Sequence, residues 1–172
     1  MRPVSLVLHA VFACALLAPV SAQARVPVQD GIVSDGEYSH TETRSGIQVW
    51  TLLSADGSTL YLAARAPTKG WIAVGLGSSR MNDASIILGY VLPDGKQVVH
   101  EEAGKGHSHA PNAATVATVA LRETDAGTIL EAALPARGFL KDGKLSVIAA
   151  YGARDDRTSI HRARASFSFT LR

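Results

Sequence analysis

The stretch GWIAVGLGSSRMNDASIILGY, residues 70–90, decides the fold. Two apolar runs, 71–76 and 84–92, flank a polar loop of Ser78, Ser79, Arg80, Asn82 and Asp83, and Met81 stands alone among them. Each run is short, bounded by glycine and rich in aliphatic side chains, the pattern of a strand covered on both faces rather than of a helix. Residues 145–151 form a third run of the same kind. A soft thioether in the loop between two central strands calls for a physical reason.

Outward from this block the dominant period is two. Leu60, Leu62 and Ala64 alternate with Tyr61, Ala63 and Arg65, and Phe167, Phe169 and Leu171 alternate with Ser166, Ser168 and Thr170. Such alternation marks strands with one buried face. Asp56-Gly57, Asp94-Gly95, Ala126-Gly127 and Asp142-Gly143 supply turns at short intervals. Strands are expected at 47–54, 58–66, 70–77, 84–92, 96–103, 114–122, 128–134, 144–152 and 163–171, with another around 31–40 and a single helical turn at 135–142. The expected fold class is all-β: an immunoglobulin-like antiparallel β-sandwich of roughly nine to eleven strands.

The first residues read as a targeting segment. Arg2 gives a positive start, Val4 to Val20 is almost unbroken apolar chain, and Ser21-Ala22-Gln23-Ala24 ends in the small-x-small pattern of a cleavage site. Residues 1–24 are therefore expected to be a cleaved secretory signal and 25–172 a single domain, periplasmic or secreted, with no membrane span in the mature chain. The one cysteine, Cys14, leaves with the signal. A mature chain without thiols has no disulfide, thiolate zinc site, iron–sulfur cluster or covalently attached haem. The net charge of the whole chain is only +2, and no basic cluster with interleaved aromatic residues points to nucleic acid.

Enzyme signatures are sparse. Gly75-Leu76-Gly77-Ser78-Ser79 lacks the lysine and the following helix of a phosphate loop. Glu101-Glu102 and Asp155-Asp156 read as surface charges, because adjacent side chains on extended backbone point to opposite faces. No substrate chemistry of its own is expected. The remaining donors are Met81, His107, His109 and His161, with His40 and His100 of less interest. His107-Ser108-His109 on extended backbone would place both rings on one side, as a copper or zinc site requires.

Four blocks, DGEYSH (35–40), GSTLYLAARAPTKGWIAVGLGSSRMNDASIILGY (57–90), DGKQVVHEEA (94–103) and LSVIAAYGARDDRTSIHRARASFSFTLR (145–172), together resemble a DOMON domain over nearly all of the mature chain. The central block carries most of the resemblance, through Gly70-Trp71-Ile72-Ala73-Val74-Gly75, the methionine that follows, and the strand ending Gly89-Tyr90. Ser85 stands where many members have aspartate, and Ala165 where glycine is common.

The resemblance implies a β-sandwich that binds haem b or a sugar-like ligand. It implies that Met81 and His161 match the two iron ligands of the cytochrome members, a thioether and imidazole pair suited to electron transfer. The expected function is an exported b-type cytochrome domain that passes single electrons to a redox partner. Two alternatives stand beside it: a haem-free module binding a sugar or other small ligand, with Trp71 and Tyr90 as candidate stacking groups if they are exposed, and a copper or zinc protein using His107 and His109. Strand alternation puts the Met81 and His107/His109 loops at one end of the sandwich and the His161 loop at the other, which favours His107 or His109 as the partner of Met81. Intact-mass measurement of the exported protein is expected to give a chain that begins at Arg25 and carries no thiol.

Overall fold

The computed structural model describes residues 26–113, 116 and 118–171; the expected signal at 1–24 and the start of the mature chain lie outside them. Among the described residues twelve strands form two antiparallel sheets, so the class expected from the sequence holds with a slightly higher strand count. One sheet joins β1 (His40–Arg44), β2 (Ile47–Leu53), β3 (Thr59–Ala66), β9 (Gly127–Pro135) and β8 (Thr118–Thr124), in that order. The other contains β4 (Ile72–Leu76), β5 (Ser85–Val91), β6 (Gln97–Lys105), β7 (Ser108–Pro111), β10 (Leu140–Lys141), β11 (Lys144–Gly152) and β12 (His161–Thr170). There β11 pairs with β12, β10 and β4, and the sheet continues through β5 and β6 to β7. Among the described residues no helix is long and apolar enough to cross a membrane.

Period-two side chains build the core. Ile47, Val49, Leu60, Leu62, Leu130, Ala132 and Leu134 from the first sheet meet Ile72, Val74, Leu76, Ile87, Leu145, Val147, Phe167 and Phe169 from the second, all buried. Their alternate neighbours point away from this layer, as pleated strands require. The Phe167 and Phe169 rings lie nearly parallel, with centroids 6.3 Å apart.

Three local readings change. The loop containing His107 and His109 is not simply irregular: Gly106, at φ +59°, turns the chain so that Ser108–Pro111 folds back onto β6. A tight two-residue turn with a left-handed glycine produces such a hairpin. Residues 135–142 hold a turn and β10 instead of a helical turn, because Asp142 and Gly143, both at positive φ, close a hairpin. Residues 31–39 form no strand, and β1 begins only at His40.

That N-terminal segment is held by a side chain rather than by a ladder. Glu131, fully buried in β9, accepts backbone N–H bonds from Asp30 (3.2 Å), Gly31 (2.7 Å) and Ile32 (3.1 Å) and the Tyr38 hydroxyl (2.8 Å). Gly31 permits this path: it sits at φ +80°, and a Cβ there would lie 2.5 Å from the Cβ of Arg122. Burial pushes the Glu131 carboxyl above the usual range, while the bonds from Tyr38 and Gly31 pull it back. Burial, and then the bond to Glu131, hold the Tyr38 phenol well above its ordinary range.

Removing the carboxylate leaves several buried donors without an acceptor. Glu131→Ala is expected to lower the unfolding free energy by roughly 3 kcal/mol and Tyr38→Phe by about 1.5 kcal/mol, measured by urea denaturation. Amide exchange should locate the loosening in residues 28–38.

Candidate functional site

The second sheet is apolar on its outer face as well. Ala73 and Gly75 of β4, Ile86 and Leu88 of β5, and Ile148 and Ala150 of β11 face away from the core, where a two-layer sandwich ordinarily carries polar side chains. Small residues in the middle keep this floor low. They line a cavity of about 940 Å³, at the upper end of ordinary ligand sites, which span about 300–1,000 Å³.

Residues 153–160 form a strap over this face. The strap leaves from the end of β11, yet Arg157 reaches β6, where its Nη1 donates to Glu102 Oε1 at 2.5 Å. With β4 and β5 between β11 and β6, the reach is three strand spacings, about 14 Å. A second tie runs to the floor, from Trp71 Nε1 to Ser159 Oγ at 2.9 Å.

Met81 is pinned in place. Its loop packs on Gly104 of β6 so closely that a Cβ there would lie 1.7 Å from the Met81 carbonyl oxygen. Asp83, at φ +64°, donates its N–H to the Gly104 oxygen at 3.1 Å, and Ala84 N–H closes a turn onto the Met81 oxygen at 3.1 Å. Gly106 N–H donates to Asn82 Oδ1 at 2.8 Å, tying this loop to the β6–β7 turn. The half-buried Met81 side chain is thereby held against the apolar floor.

The cavity brings together the donors singled out from the sequence. Met81, His107, His109 and His161 all line it, while His40 and His100 do not. Met81 and the β6–β7 turn lie at one end of the sheet, and His161, paired with Gly152, lies at the other. The alternation argument was therefore right about the ends. It does not choose between the histidines, because the cavity runs along the sheet face and both ends reach it. His109 binds the Glu102 carboxylate through Nδ1. His107 is exposed in the turn, and His161 is half-buried with no side-chain hydrogen bond among the described residues.

Two expectations about polar and aromatic residues are corrected. Glu102 is not a surface charge: it is 1 % exposed, beside Ile86 on the cavity side of β6. Asp155 is half-buried, its Oδ1 without a hydrogen-bond partner among the described residues, and burial raises its pKa. Trp71, at 5 % exposure, is part of the floor and no open stacking platform, and Tyr90 tilts against His100. Glu102 was missed because its partners His109 and Arg157 are seven and 55 residues away. Among the described residues no three His, Cys, Asp or Glu side chains are grouped so as to hold a metal ion.

The close approach of Met81 to Gly104 makes a direct test. Gly104→Ala is expected to cost about 1–3 kcal/mol and to shift backbone resonances of 78–84 and 104–109, whereas Met81→Leu should stay within about 1.5 kcal/mol of the parent.

No family model matches the sequence, and no curated protein matches it. Solved structures do. The cytochrome b domain of pyranose dehydrogenase from Coprinopsis cinerea superposes with a TM-score of 0.56 at 12% identity, over 72% of this chain and 75% of that one. The cytochrome domain of Myriococcum thermophilum cellobiose dehydrogenase gives 0.55 at 12% identity, over 73% and 75%. At that identity the likeness concerns the backbone arrangement. The chain shares the β-sandwich fold of these two cytochrome domains.

Proposed function

We propose that the chain is an exported b-type cytochrome domain that holds one non-covalent haem in this cavity and exchanges single electrons with a redox partner protein. One observation carries the reading: an apolar cavity of about 940 Å³ on one sheet face receives a thioether from one end and an imidazole from the other. Both superposed structures are cytochrome domains by name.

The residues suit the group. Ala73, Gly75 and Ala150 leave room above the sheet, and Trp71, Ile86 and Leu88 give it a dry wall. Arg80 and Arg164 line the same cavity and favour carboxylates such as the two that haem carries. Met81 and His161 would hold the iron. A bound haem supplies a one-electron couple. The Met81 sulfur would favour the reduced iron and raise its potential, and the His161 imidazole would be the stronger of the two donors. The chain's own part is to fix these donors and exclude water.

One observation favours a second assignment of the imidazole. The Nδ1 of His109 is tied to a buried carboxylate, as in most metal-bound histidines. A haem-free ligand site or a His107/His109 copper or zinc site would need what the cavity supplies less well, an open aromatic platform or a third metal donor.

Haemin titration of the purified protein decides among these. The expected product is red, low-spin and fully extractable with acid-acetone. Met81→Ala should abolish the low-spin spectrum and lower the potential, within the range of about 0.8 V that axial ligands command. His161→Ala should lose haem while His109→Ala keeps it; the reverse result gives the ligand role to His109. A wild type that stays colourless with haemin overturns the cytochrome reading.

A further inference from the structure

We infer that Glu102 is a positioning residue of this site, the fastener that carries the 153–160 strap across to β6 over the cavity and so governs how long a bound haem stays. The inference deepens the cytochrome reading and rests on it for its haem-dependent part. Glu102 lies on β6 beside Ile86, on the cavity side, and is 1 % exposed. Its two oxygens are both engaged: Oε2 with His109 Nδ1 and Oε1 with Arg157 Nη1. One carboxylate therefore joins the β6–β7 hairpin to the far end of the strap, whose last residue leads directly into His161.

The energetics say why this group is more than packing. A buried carboxylate with an ion-pair partner is often no better for stability than well-packed apolar side chains, since desolvation offsets the attraction. What it does supply is one defined arrangement of elements from opposite edges of the sheet, because the other ties of the strap, from Trp71 N–H to the Arg154 oxygen at 3.1 Å and from Trp71 Nε1 to Ser159 Oγ at 2.9 Å, both run to Trp71 beside β4, and Arg157 on Glu102 carries it across to β6. The Met81 side cannot open in the same way: it is pinned by backbone bonds to Gly104 and by the Asn82 side chain. Haem enters and leaves where the fastener releases, beneath the strap.

The test compares wild type with Glu102→Gln, Arg157→Gln, Arg157→Lys and the double variant Glu102→Gln/Arg157→Gln. Haem loss from each holoprotein is read by transfer to excess apomyoglobin, and strap opening in each apoprotein by amide exchange. Glu102→Gln and Arg157→Gln should each speed haem loss about 10-fold or more, the scale of lost orienting contacts around a metal centre. The double variant should be no faster than the faster single one, and Arg157→Lys should recover most of the retention. In the apoproteins, amides of 153–160 should lose protection in Glu102→Gln and Arg157→Gln while the core strands keep theirs. Unchanged haem loss with a red wild type, or unchanged exchange in the strap, overturns the inference. A colourless wild type overturns the cytochrome reading instead, and the exchange experiment still decides whether Glu102 fastens the strap.

Discussion

A sheet that is apolar on both faces cannot leave one of them in water. β4 is the clearest instance, buried along its whole length, with Ile72, Val74 and Leu76 in the sandwich core and Ala73 and Gly75 on the opposite side. Burying the second face requires cover that the strands themselves do not provide. The 153–160 strap, the Met81 loop and the β6–β7 hairpin provide it at the edges and leave a space in the middle. The cavity follows from that constraint. Large side chains at 73, 75 and 150 would have filled it.

Both outer faces are closed by the same device, a buried glutamate that gathers partners from a distant segment. On the first sheet Glu131 collects backbone N–H groups and a phenol, so the N-terminal segment follows one fixed path. On the second, Glu102 collects an imidazole and a guanidinium carried on flexible side chains. Backbone donors make a permanent seam, because the segment must unfold to release them. Side-chain donors on flexible arms make a closure that opens by a side-chain rotation and a short movement of the strap.

Much of this was legible in the sequence because it depends on neighbours along the chain. The central strands announced themselves by apolar runs and glycine boundaries, and the hairpins by Asp-Gly pairs. Met81 stood out because its loop is otherwise polar. Glu102 and Glu131 escaped the same reading: the period-two pattern says which face a residue occupies, and covers arriving from 55 or about 100 residues away decide whether that face is wet. For the same reason the sequence left open whether Trp71 is exposed enough to stack on a ligand, and the structure buries it. Strand alternation placed Met81 and His161 at opposite ends correctly. It was silent on the length of the space between them, which is set by the small residues of the floor.

The strap begins and ends on residues that face each other in one ladder, Gly152 and His161. Its two ends are thus already closed by the β11–β12 pairing, and the strands do not depend on its length or composition for their register. A compact loop of this kind behaves as an exchangeable part. Insertions or wholesale replacement there would reshape the roof of the cavity while leaving the sandwich and the Met81 loop as they are. Diversity in what such a scaffold receives is most economically reached by varying this one segment, with the charge opposite Glu102 kept.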